Sequence, residues 1–89
     1  MTTETTKVIL LSQENVGNYQ FNGQIVMTKN FERIFDGHIF SVVLGSLELI
    51  RVRIDTDGCD YFQVLTYNGT KYWVIDDVSV VTFLMPEDY

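Results

Sequence analysis

Between His38 and Asp76, four runs of alternating apolar and polar residues are separated by three short turns that contain glycine. The turns are Gly45-Ser46, Thr56-Asp57-Gly58 and Asn68-Gly69. Asn-Gly between two alternating runs is typical of a type I′ β-hairpin, because both central residues of that turn need a positive φ. The pattern therefore predicts an antiparallel four-stranded meander over residues 38–76.

The lengths of the turns set the register of this predicted meander. A two-residue loop at Asn68-Gly69 places Val64 opposite Trp73 and Leu65 opposite Tyr72. A three-residue loop, with Gly58 in the left-handed conformation, keeps two arginines off the core, since charged side chains are almost never buried unpaired. We expect one face of the sheet to be the core, formed by Ile39, Ser41, Ile50, Val52, Phe62, Val64, Trp73 and Ile75.

The opposite face of the predicted meander is too apolar for the solvent-exposed side of an antiparallel sheet. It combines leucines with tyrosines and two arginines, and tyrosine and arginine are enriched at protein–protein hot spots. The binding residues that we predict on this face are Leu49, Arg51, Arg53, Tyr61, Leu65, Tyr67 and Tyr72. Two alternatives stay open: residues 8–35 cover this face, or it lines the interior of a barrel.

The rest of the chain contains shorter predicted strands. Val8–Leu11 is a short apolar strand, and residues 16–28 have the pattern of a hairpin around Asn22-Gly23. Ser79–Met85 is a final strand that ends at Pro86, because proline cannot donate to a strand ladder.

Residues 30–36 fit either a strand or a short helix, and we favour the helix. Asn30 would cap its start and Gly37 would end it. The predicted organisation is then a single β domain at 8–85, with a flexible N-terminus at 1–7 and an acidic tail at 86–89.

The order of these elements resembles an SH3-like small barrel, in which a hairpin is followed by a tight turn and a closing strand. The resemblance is carried by the hairpin Tyr61–Asp76, the corner Asp76–Val78 and the closing strand Ser79–Leu84. Proline-ligand binding is not implied, because the aromatic and acidic loop motif of proline-binding SH3 domains is not found. The predicted fold class is mainly β: a small antiparallel barrel or strongly bent sheet, SH3-like in architecture, with at most one short helix near 30–36.

The composition favours strands and an acidic surface. The 89 residues include no alanine, the best helix former, and are rich in the residue types that fit a pleated sheet. Six basic and twelve acidic residues give a net charge of −6, which disfavours a nucleic-acid partner because such binding neutralises phosphates. Short length, acidity and the lack of alanine also resemble small accessory or inhibitor proteins of bacteriophages.

Cysteine usage and apolar content predict where the protein acts. The single Cys59 cannot form an internal disulfide, which indicates a reducing compartment. No run approaches the roughly 18 apolar residues of a membrane span, and the first residues lack the apolar core of a signal peptide. We expect a cytoplasmic protein that does not bind membranes.

No set of residues has the spacing of a catalytic or metal site. Asp55–Asp60 contains three carboxylates, but its glycine position and the missing glutamate at the twelfth position do not fit an EF-hand loop. Cys59 and His38 lie two strands apart in the predicted register, too far for a nucleophile–base pair. We therefore expect a non-enzymatic protein with no metal and no small-molecule cofactor.

These observations favour a protein-interaction module, of the phage accessory or inhibitor kind, that binds a partner protein or a second copy of itself. The alternative is an acidic inhibitor that presents carboxylates to a nucleic-acid-binding protein as nucleic acid presents phosphates. A further alternative is a small single-strand nucleic-acid binder, whose arginines and tyrosines would stack on bases.

Overall fold

The computed structural model describes residues 7–89, which form a five-stranded mixed sheet, two helices and one 3-10 turn. In chain order the elements are β1 (Val8–Leu10), β2 (Gln24–Met27), α1 (Lys29–Ile34), α2 (Ile39–Thr56), β3 (Phe62–Tyr67), β4 (Thr70–Asp76), β5 (Val80–Leu84) and the 3-10 turn (Pro86–Asp88). The flexible N-terminus predicted at 1–7 lies, apart from Lys7, outside the described residues.

The strands lie in the order β1-β3-β4-β5-β2. The pairs β1–β3, β3–β4 and β4–β5 are antiparallel, whereas β2 pairs in parallel with β5. The sheet stays open, because β1 and β2 form its two edges and do not pair with each other. The expectation of a sheet-based domain is confirmed, but the closed barrel is wrong and the SH3-like architecture is not confirmed.

The β3–β4 hairpin has the predicted register. Val64 lies opposite Trp73 and Leu65 opposite Tyr72, and the turn residues Asn68 and Gly69 have φ values of 51° and 85°. Both are positive, as a type I′ turn requires. Local turn chemistry was therefore sufficient to pair this half of the predicted meander correctly.

The other half of the predicted meander is wrong, because residues 39–56 form the helix α2. Its buried residues, Val42, Val43, Ser46 and Ile50, follow the spacing of one helix face. Gly58 has φ +85° and its N–H donates to the carbonyl of Arg53, so this glycine ends a helix instead of turning a hairpin. The limit of one short helix near 30–36 is likewise wrong.

The predicted hairpin around Asn22-Gly23 is also absent from the described part of the chain. Gly23 precedes β2, and a Cβ atom at this position would lie 2.6 Å from the carbonyl oxygen of Ser79. The close approach lets β2 run beside β5, where the N–H of Gln24 donates to the same oxygen at 3.1 Å. Residues 11–23 form an irregular segment before this strand.

The short predicted helix is confirmed as α1, although its cap differs from the prediction. The Oγ1 atom of Thr28, not the side chain of Asn30, accepts the N–H of Phe31 at 3.1 Å. Thr28 in turn donates its hydroxyl to Asp88 at 2.7 Å, and hydrogen bonds from Thr28 and from the Met85 N–H hold the pKa of Asp88 below its usual value. The segment predicted as an acidic tail is thus bound to the start of α1.

The core lies between the helices and one face of the sheet, which we call the covered face. Its strand residues are Gln63, Leu65, Tyr72, Val74, Val81 and Phe83. Phe31 of α1 packs on Tyr72 and Phe83, with ring centroids 5.6 and 5.4 Å apart. Full burial of each such apolar side chain contributes about 1.5–3 kcal/mol, so this layer provides most of the driving force for folding.

Candidate functional site

The side of the sheet away from the helices, which we call the open face, is the candidate functional site. Its residues alternate along the strands with those of the covered face. They include Phe62 and Val64 on β3, Trp73 and Ile75 on β4, and Thr82 and Leu84 on β5. Within residues 7–89 the helices α1 and α2 pack on the covered face, so these mainly apolar side chains are covered by one another, by the C-terminal 3-10 turn with Tyr89, and by the adjoining loops.

Aromatic rings form a row across the open face. Consecutive ring centroids are 5.9 Å apart for Tyr19–Tyr61, 6.1 Å for Tyr61–Phe62, 4.9 Å for Phe62–Trp73 and 5.4 Å for Trp73–Tyr89. These spacings are within the range of favourable tilted and edge-to-face contacts. We call this set the aromatic row. Tyr61 and Tyr89 are exposed, so its rings are within reach of a ligand.

Two grooves border the aromatic row and share Tyr61 between them. The first, of about 350 Å³, is lined by residues 12–15 and by Asp60, Tyr61, Phe62 and Val64. The second, of about 470 Å³, is lined by residues 75–78 and by Tyr19, Tyr61, Thr82, Leu84 and Tyr89. Binding sites for ligands usually have volumes of about 300–1,000 Å³, so both grooves have the size of a small recognition site.

The charged residues around this surface are mainly acidic. Glu14 and Asp60 line the first groove, and Asp76 and Asp77 line the second. Lys71 is the basic residue on the strands of the open face within the described chain. The site therefore combines an apolar, aromatic centre with a negative border.

Asp76 serves the fold and is not free to bind a ligand. It is 5% exposed, and its two carboxylate oxygens accept the N–H groups of Phe21 and Val78 at 3.0 and 2.8 Å. Both donor residues have positive φ values, 50° and 65°, which non-glycine residues rarely adopt. One carboxylate thus holds two strained loop positions beside the second groove.

A partly buried hydrogen-bond network fixes the wall of the first groove. The Oε1 atom of Gln13 accepts hydrogen bonds from the N–H of Asp60 at 3.0 Å and from Nε2 of Gln63 at 2.8 Å. Nε2 of Gln13 donates to the carbonyl of Gly58 at 2.8 Å, and Arg53 donates to Oε1 of Gln63 at 2.6 Å. The irregular segment that carries Glu14 is therefore tied to the end of α2 and the start of β3.

The structure does not bring the seven predicted binding residues together on one surface. Leu65 and Tyr72 are completely buried on the covered face, while Leu49 and Tyr67 pack against the core. Arg51 is exposed on α2, and Arg53 is engaged by Gln63. Tyr61 alone of the seven borders the open face.

Tyr72 shows how one of the predicted binding residues becomes part of the interior. The hydroxyl of Ser46 donates to the carbonyl of Val42 at 2.6 Å, so the Tyr72 hydroxyl is the donor in its short hydrogen bond to Ser46. Burial raises the pKa of Tyr72 to about 12. The tyrosine is thus a satisfied core residue beneath α2.

Cys59 and His38 lie at opposite ends of α2. The 18 residues of α2 span about 27 Å at the rise of an α-helix. Cys59 is completely buried, and burial raises the pKa of its thiol to about 11, so it stays protonated at neutral pH. Because the thiolate is the reactive form, Cys59 is a structural residue.

The residues that the sequence interpretation missed are Phe62, Val64, Trp73 and Ile75, which it assigned to the core. Their mutual pairing was predicted, but the side of the sheet that receives the helices was not.

Comparison of the chain with models of known families, with curated proteins and with solved structures finds no match in any of the three. In the described residues, no helix combines the length and the apolar character that crossing a membrane requires.

Proposed function

We propose that the protein is a non-enzymatic interaction module, of the small accessory or inhibitor kind, that binds a partner protein through the open face. The observation that carries the proposal is the aromatic row, which lies on the sheet face opposite the one against which α1 and α2 pack. Tyrosine, tryptophan and phenylalanine are enriched at the centres of protein interfaces. The cytoplasm is the proposed compartment, in keeping with the single free thiol of Cys59.

The charge around the open face supports a partner of a different kind over a second copy of the chain. Glu14, Asp60 and Asp77 border the face, and two copies would bring these like charges together. A partner with an apolar centre and a basic border would instead gain from complementary charge. The proposed partner is therefore a basic protein surface.

An acidic mimic of nucleic acid is the second candidate function. The carboxylates of Asp36, Asp55, Asp57, Asp77 and Glu87 are exposed, which favours it. Asp76 is excluded from this set, since both its oxygens accept backbone N–H groups. The exposed acids are spread over α2, the turns on either side of it, the corner between β4 and β5, and the 3-10 turn, and for this reason the mimic ranks second.

The test compares baits that differ at one residue. Wild-type protein, Val64→Asp and Phe40→Asp are each used to capture proteins from lysate of the native cell at low and at high salt. Val64 lies on the open face, whereas Phe40 is 82% exposed on the far side of α2 and is the matched apolar control. We expect one protein to be retained by wild type and by Phe40→Asp and lost with Val64→Asp.

Circular dichroism of each bait separates loss of binding from loss of fold. A partner lost equally with both variants, or with neither, would contradict binding through the open face. Light scattering on the pure protein tests self-association. A dimer that dissociates on Val64→Asp substitution would mean that the open face binds a second copy of the chain and not a different protein. A partner that survives Val64→Asp but dissociates steeply with salt would favour the acidic mimic.

A further inference from the structure

The first groove carries a more specific inference, which rests on the proposed function. We propose that the groove between the 12–15 segment and Tyr61–Phe62 binds the guanidinium group of an arginine side chain from the partner protein. The groove joins two aromatic residues and two acidic residues in one depression of about 350 Å³.

Aromatic rings next to carboxylates suit this ligand better than any neutral one. The rings of Tyr61 and Phe62 are inclined at 72°, so they form a corner and not a flat wall. A guanidinium is attracted to the negative face of an aromatic ring, and its planar set of N–H donors matches the oxygens of a carboxylate. Glu14 and Asp60 provide carboxylates, and neither side chain has a hydrogen-bond partner among the contacts of the described residues.

The groove is prepared for binding by bonds that do not use its charged groups. Asp60 is held through its backbone, since its N–H donates to Gln13 and its carbonyl accepts from Gln63 at 2.9 Å. Gln63 is 1% exposed, and its hydrogen bonds tie both walls to the buried side of the sheet. A ligand therefore meets a surface that is already ordered, which lowers the entropic cost of association.

The charge around this groove also favours a cationic ligand. No basic residue lines it within the described chain, and the net charge of −6 adds a long-range attraction for a cation. An anionic ligand would face repulsion from Glu14 and Asp60. An apolar side chain would leave both carboxylates without a partner.

The test measures the binding of acetyl-Gly-Arg-Gly-Arg-Gly-amide by titration followed in amide NMR spectra. The matched ligand replaces each arginine by citrulline, which keeps the shape and removes the charge. We expect the arginine peptide to shift the amides of residues 13–15 and 60–62, and the citrulline peptide to leave them unchanged. The double variant Glu14→Gln/Asp60→Asn should weaken the affinity for the arginine peptide about tenfold.

A charge-matched double variant, Glu32→Gln/Asp55→Asn, removes two exposed acids on the helices and should change the affinity less than twofold. Equal weakening by both double variants would mean general charge attraction and would overturn the proposal. Equal binding of the two peptides, or shifts centred on α2, would overturn it as well. Partner capture that depends on Val64 but not on Glu14 and Asp60 would refute the arginine site and leave the proposed function intact.

Discussion

The two faces of the β3–β4 hairpin are both aromatic, but they differ in what lies over them. On the covered face, Tyr72 packs between Phe31, Phe35 and Phe83, and its hydroxyl bonds to Ser46 of α2. On the open face, Trp73 packs between Phe62 and the exposed ring of Tyr89. Adjacent residues of one strand therefore belong to a closed core and to an accessible surface.

The comparison shows that apolar character alone does not identify a core. Both faces carry large rings at favourable spacings, yet only the covered face receives a layer of helices within residues 7–89. The open face retains its rings beside grooves with acidic residues, a combination that a purely structural layer does not need. Function is therefore best sought where aromatic side chains remain accessible.

The largest expected effect comes from placing the same charge on each face in turn. Leu65→Asp puts a carboxylate at a completely buried position and should destabilise the fold by about 4 kcal/mol or more. Val64→Asp, one residue earlier and on the open face, should cost about 1–2 kcal/mol and leave a folded protein. Urea denaturation followed by circular dichroism measures both.

The outcome decides which face is the core. Similar losses in the two variants would mean that the open face is also interior, and the proposed binding surface would then not exist. A folded Leu65→Asp protein would contradict the assignment of Leu65 to a buried core layer on the covered face.

The pairing of β3 with β4 could be predicted because its cause is local. Asn68 and Gly69 adopt the two positive φ values of the turn, and that turn fixes every opposite pair along the hairpin. The choice between the two faces could not be predicted in the same way, because it depends on residues outside the hairpin.

The decisive residues, 39–56, satisfy both the strand and the helix period because apolar residues recur along the whole run, singly and in short groups. The run is rich in β-branched residues and contains no alanine, so intrinsic propensity favoured strands. Burial of Val42, Ser46 and Ile50 against the sheet outweighs that propensity in α2. Gly58 was the available signal for the end of a helix. It was ambiguous, because a glycine with positive φ is found both at helix ends and in hairpin turns.

Long-range pairing was the other part beyond the reach of the sequence. β2 and β5 are far apart in the chain, and their parallel alignment leaves no local turn signal. Among the candidate binding residues, Tyr61 was identified from residue type alone. Phe62 and Trp73 were not predicted as binding residues. Their cross-strand pairing was predicted correctly, but the wrong face of the sheet was taken as the core.

The second prediction tests the residue that joins the covered face to the loops of the open face. Asp76→Asn replaces one of two accepting oxygens by an NH₂ group that faces a backbone N–H, from either Phe21 or Val78. We expect a loss of about 2–3 kcal/mol, because a charge-assisted hydrogen bond is lost and a buried donor is left unpaired. Thermal and urea unfolding measure it.

Asp77→Asn is the matched control, since its side chain is exposed and the neighbouring positive-φ residues do not depend on it. It should change the free energy of unfolding by less than about 0.5 kcal/mol. Equal effects of the two substitutions would show that general charge, not the two N–H bonds, explains the role of Asp76.

The third prediction uses alkaline pH to examine the covered face. The pKa of Tyr72 is about 12 in the folded protein against 10.0 for an ordinary tyrosine, so above pH 10 the unfolded chain loses this proton first. The unfolded state then binds fewer protons, and stability falls as pH rises from about 10 to 12. The contribution of Tyr72 at pH 11.5 should be a loss of about 2 kcal/mol.

Tyr72→Phe removes this titration while leaving all other ionisable groups, so its stability should fall less steeply over the same pH range. Cys59, with a pKa of about 11, contributes in the same direction in both proteins. Parallel curves for wild type and Tyr72→Phe would contradict the burial of the Tyr72 hydroxyl beneath α2.

The smallest expected effect is at the end of the aromatic row. Tyr89→Ala removes a ring that is 79% exposed, so the free energy of unfolding should change by less than about 0.5 kcal/mol. Trp73 is the single tryptophan of the chain and lies 5.4 Å from that ring, so its fluorescence should shift to longer wavelength as water replaces the ring. Tyr89→Phe keeps the ring and should keep the emission of the wild type. A large loss of stability without a change in emission would mean that Tyr89 supports the fold and does not cover Trp73, and the aromatic row would then end at Trp73.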